Sequence, residues 1–175
     1  TADDYAVEAA AFISKQLKQV IEMRGKATLL VSGGSSPKVV YQILSQTHLE
    51  WDKVTVSLVD ERWVREGEDG SNASFIKNTL LQNKARDAQF IPMVTEDLTA
   101  QNGEAVVNQR FVKYFSDPVD VCLMGMGTDG HTASWFPNSP TLNRALDIDG
   151  KALVVWQDAT NQIGSSGFAD RITMT

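Results

Sequence analysis

The residues best suited to proton transfer stand in one short run, Gly125-Met126-Gly127-Thr128-Asp129-Gly130-His131. His131 is one of two histidines in the chain and ends a glycine-dense loop, where small residues leave room for a substrate. An imidazole changes charge near neutral pH, which suits a general base. Asp129, two positions earlier, can accept a hydrogen bond from one ring nitrogen and so leave the other free to take a proton from water. A histidine that merely braces its loop is the plain alternative, and bracing is the role read for His48, between Thr47 and Leu49. Neither histidine stands at a zinc-ligand spacing, and the single cysteine, Cys122, cannot complete such a site. No Gly-x-Ser-x-Gly elbow is present either. Attack by water, activated by His131 without metal or cofactor, is the simplest hydrolytic chemistry these residues permit.

Two further runs carry groups that a simple turn does not need. Ser32-Gly33-Gly34-Ser35-Ser36-Pro37-Lys38 offers glycines that admit a ligand close to the backbone, hydroxyl donors, and a proline suited to a first helical turn. A phosphate there would meet backbone N–H groups and the positive end of a helix. An ordinary tight turn is the alternative, since the pattern is neither the dinucleotide fingerprint nor the P-loop. Asp60-Glu61-Arg62-Trp63-Val64-Arg65 places two carboxylates beside two guanidinium groups. Arg62, with its planar fork, is the phosphate candidate. A structural ion pair of Arg62 with Asp60 or Glu61 is the competing reading, and Ser71-Asn72 reads first as a helix N-cap.

The elements that must position these runs follow from hydrophobic spacing. Ala10, Ile13, Leu17 and Ile21 line one face of a helix from Tyr5 to Arg24. Thr28 to Val31 reads as a strand ending at the serine-glycine loop, with helical spacing resuming at Val39, Val40, Ile43 and Leu44. Val54 to Val59 reads as the next strand and Asn72 to Leu81 as its helix. Gln89 to Met93 is expected as a short strand, and Ala105, Val107, Phe111 and Phe115 as a helical stripe. Val119 to Met124 is expected as a buried strand, with Cys122 filling core. Leu153 to Trp156 and Ile172 to Thr175 complete the set, the last predicting an open strand edge through which copies could associate. Alternation of strands and helices indicates an α/β fold, a Rossmann-like doubly wound, mostly parallel sheet with helices on both faces, spanning residues 1–175 as one domain. Ligands of such sheets bind beyond the carboxyl ends of the strands, where all three runs fall.

Composition narrows the partners. With 42% hydrophobic residues the 175-residue chain can build a full core. A net charge of -6 and the absence of a basic block oppose nucleic-acid binding. No apolar run approaches a membrane span, no signal peptide is evident, and one cysteine fits a reducing compartment, so a cytoplasmic location is expected. The sequence carries no signal of oligomeric state.

Taken together, SGGSSPK, DERWV with SN following, and GMGTDGHTASWFP resemble, in order and approximate spacing, the 6-phosphogluconolactonases of the group that includes glucosamine-6-phosphate isomerase/deaminase. The similarity extends over essentially the whole chain. The amino-sugar deaminases typically carry Asp-Glu-Tyr and His-Ile-Ala-Phe-Asn-Glu-Pro where this chain has DERW and HTASWFP, which points to the lactonase branch. The resemblance implies hydrolysis of 6-phospho-D-glucono-1,5-lactone, a phosphorylated sugar lactone, to 6-phosphogluconate in the pentose phosphate pathway. It implies His131 as the proton-transfer residue aided by Asp129, and Ser32, Gly33, Gly34, Ser35 and Arg62 as the phosphate site. N–H groups around Gly127 to Gly130 would stabilise the oxyanion, with Asp60, Gly127, Gly130 and Arg171 as further substrate contacts. The resemblance also implies a longer chain, one more strand and helix with a glycine-lysine element near the phosphate, so the sequence is expected to be short at its C-terminal side, with Arg171 a partial substitute for that charge. Two other functions compete: a sugar-phosphate sensor domain, which could dispense with the base, and an aminosugar-phosphate isomerase/deaminase, which would need a free carboxylate such as Asp60.

Overall fold

The computed structural model describes residues 2–175. Helix α1 (Ala2–Arg24) turns Ala6, Ala10, Ile13, Leu17 and Ile21 inward, one apolar residue per turn, and packs on β1 (Ala27–Val31) and α2 (Lys38–Gln46). The expected stripe is therefore the buried one. β2 (Val54–Leu58), β4 (Gln89–Phe90) and β5 (Val121–Leu123) join β1 in an all-parallel sheet of order β4-β2-β1-β5. Asp120 ties the start of β5 to the start of β1: its carboxylate accepts from the Thr28 N–H at 2.8 Å and pairs with Arg24.

Register sets the site. Val31 lies opposite Leu58 on one side and Leu123 on the other, so the segments leaving β1, β2 and β5 emerge side by side. The ladder continues one step further, with Ser32 N–H donating to Leu123 O at 3.0 Å and Val59 N–H to Val31 O at 3.0 Å. The serine-glycine, Asp-Glu-Arg and histidine loops thus start from a common edge.

A second sheet is antiparallel, β3 (Asp60–Arg62), β7 (Asp170–Met174) and β6 (Val154–Asp158) in the order β3-β7-β6. Asp60-Glu61-Arg62 is a strand although its residue types disfavour one, because β7 offers a paired edge with Asp60 opposite Thr173 and Arg62 opposite Arg171. The strand at the C-terminal end of the sequence is consequently not an open edge. β7 is paired on both sides, and Arg171, Ile172 and Thr173 are buried. β5 departs from expectation in the other direction: it is an edge strand, shorter than Val119 to Met124, and Cys122 is exposed. An apolar run reads the same whether one or both flanks are covered, so its composition alone does not distinguish an edge strand from a central one.

Helices α3 (Asn72–Thr79), α4 (Ala100–Tyr114) and the short α5 (Leu142–Ala145) complete the fold. α4 rests on β6 and β7 with Ala100, Gly103, Val107 and Phe111 inward, whereas Ala105 is exposed. Gly103 selects that face, since a Cβ there would lie 2.4 Å from the Trp63 ring. Among the described residues no helix is long and apolar enough to cross a membrane.

Candidate active site

The serine-glycine loop is held from below. The buried Tyr41 of α2 donates its hydroxyl to Ser32 O at 2.7 Å, and Gly33 passes so close to Asn72 that a Cβ would sit 1.9 Å from Oδ1. Asn72, buried at the start of α3, donates Nδ2–H to Asp60 O at 3.0 Å and so ties this loop to β3. Ser71 caps α3 as expected, accepting from Ser74 N–H at 3.1 Å.

Glu61 organises the same corner. Its carboxylate accepts the N–H groups of Arg62 (2.9 Å), Asn72 (2.8 Å) and Ala73 (2.7 Å), so it satisfies N–H donors at the α3 N-terminus that the helix itself leaves open. Burial pushes its carboxyl up to about 7 despite these bonds. Arg62 is held differently from the ion pair considered above: Nη1 donates to Gly70 O at 2.6 Å, and the guanidinium lies over the Phe168 ring, 5.5 Å from its centroid. The partner of Asp60 is Arg171, at 3.5 Å, and Asp60 Oδ2 also accepts from Ser134 Oγ at 2.6 Å. Burial pulls Arg171 down to about 10, opposed by Asp60, so it stays protonated near neutral pH.

In the histidine loop, His131 Nδ1 lies 2.5 Å from Asp129 Oδ1, with each side chain 18% exposed. That hydrogen bond holds the Asp129 carboxyl below its usual range. Because a carboxylate only accepts, Nδ1 carries the hydrogen and Nε2 is the basic nitrogen. The imidazole also packs on the buried Phe136, ring centroids 4.5 Å apart. Gly127, in the same loop, and Gly164, in a distant one, press on the ring, where a Cβ would fall 2.3 and 2.4 Å from Cε1. One expectation is corrected here. Gly127 N–H donates to His131 O at 2.8 Å and Gly130 N–H to Gly127 O at 3.0 Å, so both donors close the turn and neither is available to an oxyanion.

A cleft of about 460 Å³ joins the pieces, with Ser32 to Pro37 on one wall and Met126, Gly127 and His131 on another. Arg62, Asp60 and Arg171 also reach it, whereas Asp129 stands behind the imidazole and Gly130 lies outside the wall. Asn72, Ala133 and Gly164 line it as well. The sequence reading of Asn72 is first of all that of a cap, and Gly164 carries no sequence signal because it meets His131 through tertiary packing alone. Two buried polar atoms, Ser32 Oγ and Arg62 Nε, have no hydrogen-bond partner among the described residues. A buried unmatched polar atom costs about 1–3 kcal/mol, and both belong to residues lining this cleft. An anion with several acceptor oxygens fits them. Among the described residues no group of three or more His, Cys, Asp or Glu side chains gathers as a metal site.

A parallel-sheet α/β fold, with a glycine-serine loop and a paired histidine facing one cleft at the strand ends, defines a recognisable class of small-molecule site. The chain belongs to the glucosamine-6-phosphate isomerase/6-phosphogluconolactonase family, whose model matches residues 1–175. It is similar to the 6-phosphogluconolactonase of Rhizobium meliloti, 44% identical over 135 residues, covering 77% of this chain and 58% of that protein. The 6-phosphogluconolactonase of Xylella fastidiosa is 35% identical over 176 residues, covering 98% of this chain and 72% of the relative. A crystal structure of a 6-phosphogluconolactonase from Shewanella baltica superposes with a TM-score of 0.92 at 38% identity, over 100% of this chain and 72% of that one. The chain thus spans 58% to 72% of the length of these relatives.

Proposed function

We propose that the site hydrolyses 6-phospho-D-glucono-1,5-lactone to 6-phosphogluconate. The observation that carries this reading is the meeting, in one cleft, of an Asp129-oriented imidazole with two unmatched buried polar atoms, Ser32 Oγ and Arg62 Nε. Ser32, Gly33, Gly34, Ser35 and Arg62 would hold the 6-phosphate, and this remote binding would fix the lactone carbonyl near His131. Nε2 of His131 takes a proton from water as the water oxygen attacks C1. The carbonyl electrons move onto oxygen, and on collapse the C1–ring-oxygen bond breaks. The imidazolium returns its proton to the departing ring oxygen, and the acid formed ionises to the carboxylate. Asp129 stabilises the transient imidazolium without taking its proton.

Relatives similar to this chain carry the name 6-phosphogluconolactonase, which supports the hydrolytic branch. The isomerase/deaminase reading requires a carboxylate base free to move a proton between carbons. Asp60 Oδ2 is instead bound by Ser134 and Arg171. A continuous assay with freshly generated lactone, run beside glucosamine 6-phosphate, tests the proposal. Turnover of the lactone alone is expected, and turnover of the amino sugar would refute it.

A further inference from the structure

Arg171 is 1% exposed, yet it lines the cleft together with His131 and Arg62. Nε donates to Phe168 O at 2.8 Å and Nη2 to Ser165 O at 2.5 Å, while Nη1 lies 3.5 Å from both Asp60 Oδ2 and Ser134 Oγ. Each contact leads to a functional group. Ser165 adjoins Gly164, which presses on the His131 ring, and Ser134 belongs to the loop that carries His131. Phe168 lies against the guanidinium of Arg62 and packs on Gly70, whose carbonyl accepts from Arg62. The Arg171 cation also rests 5.3 Å from the centroid of Phe136, the ring that packs on the imidazole.

We propose that Arg171 is a positioning residue that fixes the distance between the base, His131, and the anion-binding Arg62, and does not itself bind the phosphate. The inference rests on the lactonase reading of the site. Its physical basis is the shape of the group. A planar fork with several fixed donors can hold two carbonyls, a carboxylate and a hydroxyl together, whereas a lysine ammonium supplies the charge without that geometry. Donors already directed at protein atoms are also poorly placed to receive a phosphate.

Two variants test this, Arg171→Lys and Ser134→Ala, each read by steady-state kinetics on the lactone and by NMR of the free protein. Arg171→Lys is expected to lower kcat by at least about tenfold and to raise KM, because both ends of the cleft lose support; displacements near 1 Å can cost about 10²-fold. Ser134→Ala removes the hydroxyl that bonds Asp60 at 2.6 Å and meets Arg171 at 3.5 Å, but leaves the Phe168 and Ser165 contacts of Arg171 in place, so kcat should fall about tenfold with KM within about twofold of the parent. The nuclear Overhauser contact between His131 Hε1 and Gly164 Hα should weaken in Arg171→Lys. Parental kcat and KM in Arg171→Lys would overturn the proposal, as would an unchanged kcat in Ser134→Ala. If Arg171→Lys does not fold, Ser134→Ala decides alone. Should the parent protein fail to turn over the lactone, the functional reading falls while the Overhauser contact still judges the clamp: its loss in Arg171→Lys supports positioning, and its retention refutes it.

Discussion

Asp129 Oδ1 and His131 Nδ1 lie 2.5 Å apart at the end of a closed four-residue turn, so the carboxylate directs the imidazole and leaves Nε2 as its basic atom. His131→Ala should reduce lactone turnover by about 10²–10⁴-fold, the usual worth of general acid–base assistance. Affinity for 6-phosphogluconate, measured by calorimetry, should stay within about twofold, because the residues proposed to hold the phosphate are other residues of the cleft lining. An equal loss of binding would mean that the histidine holds the loop together and does no chemistry. Asp129→Asn should keep the ring in place but let it take the wrong tautomer, lowering kcat more than KM.

Arg62 is the residue proposed to hold the anion. Its Nη1 is fixed by Gly70 O at 2.6 Å and its face by Phe168, so Nε is held in a set direction, with no partner among the described residues. Arg62→Ala should raise the KM for the phosphorylated lactone by at least about tenfold, as expected for loss of a charge-assisted contact of about 1.5–3 kcal/mol. Hydrolysis of the unphosphorylated lactone should change little. Equal sensitivity of the two substrates would remove Arg62 from the phosphate site.

Much of this was legible in the residues. The three loops announced themselves because glycine, hydroxyl and charged residues interrupt apolar runs, and the period of those runs gave α1, β1, α2 and β2. What could not be read is what long-range pairing decides. Asp60-Glu61-Arg62 becomes a strand only because β7 comes to meet it, and β5 stays half exposed only because it ends at a sheet edge. The engagement of the Gly127 and Gly130 N–H groups is likewise invisible until the turn is closed. Gly164 reaches His131 from a loop whose own sequence gives no reason to expect it there.

Gly33→Ala examines the contact between the serine-glycine loop and Asn72. A Cβ would lie 1.9 Å from Oδ1 of a buried side chain that is itself bonded to Asp60 O, so the amide cannot simply swing away. The loop must shift instead, and overpacking of this kind typically costs about 1–3 kcal/mol. Chemical denaturation should therefore register a loss of stability in that range, together with weaker binding of 6-phosphogluconate. A variant as stable as the parent and binding equally well would show that the loop yields freely.

Glu61 gives the fold a pH dependence of its own. Burial pushes its carboxyl up to about 7 in the folded protein from an ordinary 4.5, outweighing the three N–H groups that favour the charged form. Between those values the folded chain holds a proton that the unfolded chain has released, so stability from this group falls as pH rises through the window and levels off above it. The slope in mid-window is about 1.4 kcal/mol per pH unit. Asp129 acts with the opposite sign and outside that window, since its lowered carboxyl contributes stability above the unfolded value of 3.8 that is lost only as pH falls below it. Glu61→Gln cannot titrate, and its unfolding free energy by urea should therefore gain on the parent's by about 2 kcal/mol between pH 5 and 6.5. Parallel stability curves for the two proteins across that interval would mean that the α3 N-terminus keeps Glu61 ionised throughout.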